Sequence, residues 1–190
     1  MTTAKDAACF MLDLARHDDE PQYLTHLQLQ KLLYYLQGWS LALRNRPFFQ
    51  GRIEAWRNGP VVKEVWPLFA GNGKQPILDI PGDCAALAEG ERFFGRLIWE
   101  KYKFYSPIAL SQMTHKELPW LMARGNLPLS MRSDEEIPAM AMKDYFCGVK
   151  NRPDEQFVGT PDWSISNDEA FVNAAQSLFA KYSRAMRAMA

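Results

Sequence analysis

The segment between Leu24 and Asn45 constrains the fold of this chain more than any other. Leucines recur in it at steps of three and four residues, and aromatic side chains fill much of the remaining helix circumference. These apolar residues are Leu29, Leu32, Leu33, Tyr34, Tyr35, Leu36, Trp39, Leu41 and Leu43. A helix that is apolar on nearly every side must be surrounded by other elements, so the sequence predicts a central, buried helix.

The two ends of this helix are predicted as well. Thr25 and Gln28 have the spacing of a capping box, which indicates a start at Thr25 or His26. Because Pro47 cannot continue a helix, we expect the helix to stop near Asn45.

Signals for further helices follow along the chain. Thr3 and Ser106 are residue types that cap helices, and a longer helix is predicted over residues 84–103. Pro119 is expected to open a brief turn that contains Trp120. These signals indicate a mainly α fold.

A short non-helical stretch interrupts this pattern. Residues 48–57 alternate between apolar and charged side chains, which predicts an extended piece or a small hairpin arm. After the Asn58-Gly59 turn, Pro60 is expected at the first position of a helix with the apolar face Val62, Val65, Trp66 and Phe69. We therefore expect a single compact helical domain around the central buried helix, with at most a short β-hairpin or extended arm and a C-terminal helix.

Charge and cysteine content narrow the possible functions. Lys plus Arg number 22 and Asp plus Glu number 22, so no net field favours nucleic acid or an anionic membrane. The three cysteines fit neither a disulfide framework nor a zinc site. An apolar run of about 18 residues, which a membrane span requires, is not found. We therefore predict a cytoplasmic protein that does not enter a membrane and is not a general nucleic-acid binder.

No constellation of residues indicates catalysis. His17, His26 and His115 lack the neighbouring ligands of a metal site, and no phosphate-binding glycine loop or nucleophile elbow occurs. The acidic run 134–136 is better explained as stabilising the start of a helix than as a set of metal ligands. We predict no catalytic residue, no metal and no cofactor, and hence no enzyme.

Four separated blocks of sequence are typical of one known family. They are LQKLLYYLQGW in the central helix, IEAWRNGPVVKEVW after it, LSQMTHKELPW at residues 110–120 and KDYF at residues 143–146. Together they closely resemble the Panacea domain of bacterial and phage antitoxins, which includes SocA-like proteolytic adaptors and phage-associated GepA-like proteins. The resemblance covers residues 4–147.

This resemblance implies a function that residue chemistry alone does not supply. It implies an antitoxin of a toxin-antitoxin system that neutralises a cognate protein toxin, made from a neighbouring gene, by direct binding. An alternative is a proteolytic adaptor that delivers the toxin to a Clp-type protease. The class of the toxin and the oligomeric state of this chain stay open.

A regulatory DNA-binding module, or a prophage protein of unknown activity, is a rival hypothesis. Several helices around a tight turn resemble a helix-turn-helix, and four arginines cluster in one segment, at Arg44, Arg46, Arg52 and Arg57. The zero net charge counts against nucleic acid as a partner.

The motif residues themselves have two interpretations. In the first, buried glutamines bond backbone groups of the 54–60 loop and hold this loop against the central helix. In the second, the polar and aromatic residues border a groove that receives another protein. Both interpretations are correct if one side of the loop packs on the central helix and the other side is exposed. The candidate residues are Gln30, Lys31, Tyr34, Gln37, Trp39, Glu54, Trp56, Arg57, Asn58, Gly59, Pro60, Thr114, His115 and Trp120.

The last part of the chain is interpreted as an addition to the Panacea-like domain. We assign residues 1–147 to the domain and residues 148–190 to a linker and a C-terminal amphipathic helix. Ser166 and Glu169 have capping-box spacing ahead of a stripe formed by Phe171, Ala174, Ala175, Leu178 and Tyr182. This helix is expected to pack on the domain or on a partner.

Overall fold

A computed structural model of the protein describes residues 1–150. In chain order these residues form α1 (Ala4–Arg16), α2 (His26–Arg44), β1 (Ile53–Trp56), β2 (Gly59–Val62), α3 (Trp66–Phe69), α4 (Glu89–Tyr102), α5 (Pro107–Thr114), α6 (Leu118–Arg124) and α7 (Ala139–Val149). A 3₁₀ turn, Ala70–Asn72, follows α3. The predicted mainly α fold with one short hairpin is confirmed. The helix predicted near the C-terminus lies outside the described residues.

Helix α2 forms the centre of the fold, as its apolar composition predicts. Sixteen of its 19 residues are buried, and α1, α4, α5, α7 and β2 all pack around it. Its predicted start is confirmed, because the Thr25 hydroxyl accepts a hydrogen bond of 3.3 Å from the Gln28 amide. Its predicted end is confirmed at Asn45, which adopts a left-handed conformation with φ of 54°.

The tightest packing in the core joins α2 to α7. The ring of Phe146 meets the rings of Trp39 and Tyr34 at centroid distances of 5.1 and 5.7 Å. This approach needs Gly38, because a Cβ atom there would lie 2.8 Å from Cζ of Phe146 and closer still to other atoms of the same ring. The KDYF block therefore supplies the core contact of α7 to the central helix.

Residues 59–62 differ from their predicted conformation. They form strand β2, antiparallel to β1 with Ala55 opposite Pro60, and only Trp66–Phe69 becomes α-helical. The predicted helix that begins at Pro60 is therefore wrong. The physical reason is that Gly59 turns the chain back with φ of +96°, which lets the two valines after Pro60 pair with β1.

The other edge of β1 is also paired. The Ala55 amide donates to the Glu135 carbonyl and the Ile137 amide donates to the Ile53 carbonyl, each at 2.8 Å. Residues 135–137 are thus extended, and the next helix begins only at Ala139. The predicted helix-stabilising role of the acidic run 134–136 is wrong, because this run is held along the edge of the hairpin.

Helix α4 starts later than predicted, and the preceding segment is fixed to α1. Cys84 lies outside α4, which begins at Glu89, and forms a disulfide with Cys9 across a Cα–Cα distance of 6.3 Å. The Ala85 amide also donates to the Asp6 carboxylate at 2.8 Å. The expectation that the cysteines form no disulfide is therefore wrong, since α1 brings together two cysteines that are 75 residues apart.

This pairing predicts the thiol content of the protein. Unfolded without reductant, the oxidised protein should react with a thiol reagent at Cys147 alone, and all three cysteines should react after reduction. Reduction should lower the free energy of unfolding by about 2 kcal/mol, since the bond closes a long loop. Cys84→Ser should reproduce the loss, and Cys147→Ser should not. Three reactive thiols in protein purified under oxidising conditions would contradict the pairing.

Candidate functional site

The outer edge of strand β2 is completed by side chains of helix α2 instead of a third strand. The Val62 amide donates to Oε1 of Gln30 at 2.7 Å, and the Nζ of Lys31 donates to the Pro60 carbonyl at 2.9 Å. Because Pro60 has no amide hydrogen, it leaves no unpaired donor on this edge. The hairpin, residues 53–62, is therefore bonded to α2 by two adjacent residues of the LQKLLYY block.

A second bond fixes the orientation of the Gln30 amide. Its Nε2 lies 3.0 Å from Nε2 of His26, one helical turn earlier. Because Gln30 Oε1 already accepts from Val62, the Gln30 nitrogen donates and the imidazole Nε2 accepts, which assigns the imidazole proton to Nδ1. Burial, and then the charge of Lys31, lower the pKa of His26 to about 4. His26 is thus a neutral acceptor at neutral pH.

Lys31 is completely buried, and no carboxylate pairs with it in the described part of the chain. Burial lowers its pKa to about 7. A Cβ at Gly59 would lie 2.7 Å from its Cε, 2.9 Å from its Nζ and 2.6 Å from Thr114 Oγ1. Gly59 is therefore required both by its positive φ and by the close approach of this amine.

Gln37 binds a different loop from the one predicted. Its Oε1 accepts from the amides of Phe48 and Phe49 at 2.9 and 3.2 Å, and its Nε2 donates to the Phe49 carbonyl at 3.2 Å. Neither glutamine bonds the 54–60 loop as predicted, because Gln30 bonds Val62, two residues beyond it in strand β2, and Gln37 bonds a different segment. Helical geometry explains this, because seven residues place Gln37 two turns along α2 from Gln30, beside the chain that returns after Asn45.

The corner between α5 and α6 holds the hairpin from the opposite side. Trp120 Nε1 donates to the Trp56 carbonyl at 2.9 Å, and the His115 ring lies 4.4 Å from the Trp120 ring and bonds the Arg57 backbone. Burial lowers the pKa of His115. His115 therefore lies at the end of α5 with its ring bonded to backbone. Thr114 caps its own turn through the Ser111 carbonyl at 2.9 Å.

One known protein family matches the part of the chain that forms this arrangement. Residues 29–121 match the family described as antitoxin SocA-like, Panacea domain, and this span contains α2 from Leu29 onward, the hairpin and the α5–α6 corner. Residues 29–121, just under half of the chain, are thus similar to a Panacea domain. Antitoxin SocA of Caulobacter vibrioides is 40% identical over 76 residues, which are 40% of this chain and 39% of that protein. No solved structure matches the chain.

Most of the predicted motif residues of the Panacea-like domain are buried. Ten of the 14 have little exposed surface, namely Gln30, Lys31, Tyr34, Gln37, Trp39, Glu54, Gly59, Pro60, Thr114 and Trp120. Trp56 and His115 are half-buried, and Arg57 and Asn58 are exposed. The structure therefore places the motif mainly in the interior, with its exposed part at the turn of the hairpin.

Two of the buried candidates have roles in packing. Trp39 Nε1 donates to the Tyr102 hydroxyl at 2.8 Å inside the core. The Tyr34 ring contacts the rings of Tyr35 and Phe146, and its buried hydroxyl lies beside the Glu117 carboxylate. Burial raises the pKa of Tyr34 well above its ordinary value. Neither residue lies at a surface of the Panacea-like domain.

Sequence reasoning missed three residues that complete these contacts. The Tyr35 hydroxyl donates to Glu117 Oε1 at 2.9 Å. Arg124 is buried and its guanidinium donates to the Ala55 carbonyl at 3.3 Å and to the Pro128 and Met131 carbonyls. The only signal in the sequence was the set of polar residues beside the LSQMTHKELPW block. Arg124 was missed because nothing in the sequence around it indicates burial.

Glu54 is the buried acid of the hairpin. Its Oε2 accepts from Trp56 Nε1 at 2.7 Å and lies 3.2 Å from the Lys63 Nζ, while Oε1 lies 3.6 Å from Arg52 Nε. Its charge is therefore compensated on the outer side of the hairpin, and it holds the Trp56 ring in a fixed orientation.

A surface groove lies between the hairpin turn, the start of α2 and α3. We call it the hairpin groove; its volume is about 200 Å³, and it is lined by His26, Leu27, Gln30, Lys31, Trp56, Arg57, Asn58, Val61, Trp66 and Gly73. The rings of Trp56 and Trp66 are 5.3 Å apart. Three of the four predicted site residues that are not buried, Trp56, Arg57 and Asn58, therefore meet at this groove.

No group of three or more His, Cys, Asp or Glu side chains within residues 1–150 is placed to hold a metal ion. None of the helices in this part of the chain combines the length and the apolarity that crossing a bilayer demands.

Proposed function

We propose that this chain is an antitoxin that neutralises a cognate protein toxin by direct binding. The observation that carries the proposal is the similarity to a SocA-like Panacea domain, together with the 40% identity to a protein named Antitoxin SocA. The match spans about two fifths of that protein, so the function of the whole relative enters here as a proposal. We place both partners in the cytoplasm.

The construction of the hairpin supports a binding role. Gln30 and Lys31 hold it from α2, Trp120 and Arg124 hold it from α6, and residues 135–137 pair with its other edge. A loop fixed on three sides loses little conformational entropy when a partner binds to it. The polar motif groups are bonded mainly to backbone, an arrangement that positions a surface and requires no turnover.

The arginines that suggested DNA binding support this choice as well. Arg44 and Arg46 both pair with Glu91, at 2.8 and 3.2 Å, and Arg52 pairs with Glu54 and Glu136. Their charges are therefore largely compensated within the fold, and only Arg57 of the four extends into solvent unpaired within the described residues.

Co-expression tests the proposal. A small protein encoded beside this chain should arrest growth when expressed alone, and this chain should restore growth and co-purify with it as a stable complex. With sequestration, the half-life of the toxin should be the same with and without this chain. A half-life that shortens only when a Clp-type protease is present would indicate the adaptor alternative. Failure to restore growth or to form a complex would contradict the antitoxin proposal.

A further inference from the structure

The hairpin groove carries an excess of positive charge. Arg57 stands exposed at its rim, and Lys31 lies buried beneath its floor. Among residues 1–150, neither side chain has an acidic partner, and none of the lining residues is acidic. The nearest buried acid, Glu54, is already bonded to Trp56 and Lys63. Burying an uncompensated cation is unfavourable, so the groove favours an anion supplied from outside.

The walls of the groove are apolar and aromatic. The Trp56 and Trp66 rings face the opening, and the His26 ring lies 6.2 Å from that of Trp66. His26 is neutral, so the positive field comes from the lysine and the arginine. Tryptophan and arginine are the residue types that contribute most to binding energy in protein interfaces.

We propose that the hairpin groove binds an acidic segment of the partner, in which an Asp or Glu side chain reaches Arg57 and an adjacent apolar side chain packs against the Trp56 and Trp66 pair. Below about pH 7, where its amine is protonated, Lys31 adds to the attraction from beneath the floor without touching the ligand. The volume of about 200 Å³ admits a pair of side chains, so the site recognises a short segment and not a small molecule of drug size. This inference rests on the proposed function and names the surface that performs it.

Charge reversal at the rim tests the groove. The affinity of the purified full chain for the toxin from the neighbouring gene is measured by calorimetry. Arg57→Glu should weaken binding at least about tenfold, and the wild-type affinity should fall as salt is raised. Arg92→Glu, an exposed reversal on α4, should change the affinity less than about twofold. Arg57→Lys should retain most of the affinity.

A compensating change on the toxin completes the test. Each Asp or Glu of the toxin is replaced in turn by Lys, and one replacement should weaken binding to the wild type and restore binding to Arg57→Glu. Thermal unfolding confirms that the variants are folded. If Arg57→Glu binds the toxin as tightly as the wild type, the groove proposal is wrong and the antitoxin proposal stands. If the wild-type chain binds no toxin, both the groove proposal and the antitoxin proposal are wrong, and the measurement on the wild type alone shows this.

Discussion

Replacing Gly38 with Ala should lower the free energy of unfolding by roughly 3–4 kcal/mol. Helix propensity alone predicts the opposite change in stability, since Ala in a helix interior normally stabilises by about 1 kcal/mol relative to Gly. The new methyl group would lie 2.8 Å from Cζ of Phe146 and closer to two other ring atoms. A buried aromatic ring wedged against Trp39 and Tyr34 has little room to withdraw. Urea unfolding measures the change.

The chain supplies a matched control for this substitution. Gly148 also lies in a helix, α7, and no atom of residues 1–150 is within 4 Å of the position that its Cβ would occupy. Gly148→Ala should therefore stabilise the protein slightly, or leave it unchanged. Phe146→Ala should cost less in the Gly38→Ala background than in the wild type, because the two changes share one contact. Equal effects of the two glycine substitutions would show that α2 and α7 are not closely packed at Gly38.

The sequence was sufficient to predict α2 because its information is local and redundant. Apolar spacing, a cap at Thr25 and a stop before Pro47 all agree, and each depends on residues within one helix. Residues 59–62 could not be assigned in the same way. A proline after a turn fits the first position of a helix as well as an edge strand, and the contacts that decide between them come from Gln30 and Lys31, about 30 residues earlier.

The candidate site was predictable as a set of residues but not as a set of contacts. Both glutamines were assigned to the 54–60 loop, whereas Gln30 bonds Val62 in strand β2 and Gln37 bonds the amides of Phe48 and Phe49. Helical spacing states which side chains share a face, but not which loop lies opposite each of them. The disulfide between Cys9 and Cys84 was missed for the same reason, since the pairing depends on where α1 meets the segment before α4.

The burial of Lys31 should make stability depend on pH in a way that Lys31→Met removes. The pKa of Lys31 is lowered from 10.5 to about 7 by burial. Below pH 7 the amine is protonated in the folded and unfolded states, and the full cost of burying the charge opposes folding. Between pH 7 and 10.5 the unfolded state keeps its proton and the folded state loses it. Stability should therefore rise with pH by about 1.4 kcal/mol per unit in this window.

Lys31→Met replaces the charge with an apolar side chain of similar length. At pH 6.5 the variant should be more stable than the wild type by about 3 kcal/mol, since removal of the buried charge outweighs the loss of the bond to the Pro60 carbonyl. This advantage should shrink with rising pH and vanish near pH 9. Urea unfolding between pH 6.5 and 9.5 measures the difference in stability. Over most of this pH range His26 is neutral in both the folded and the unfolded state.

An exposed lysine gives the reference for this experiment. Lys116 is exposed on the α5–α6 corner, so Lys116→Met should leave the pH dependence of stability parallel to that of the wild type. A parallel curve for Lys31→Met would mean that the amine is charged and solvated, or paired with an acid, in the folded protein. If the amine were paired with an acid, its charge would be compensated and would no longer attract an acidic partner to the hairpin groove. If the stabilities of Lys31→Met and the wild type instead converge as the pH rises, this chain retains a costly buried cation next to its exposed arginine. A core that served stability alone would not favour such a cation.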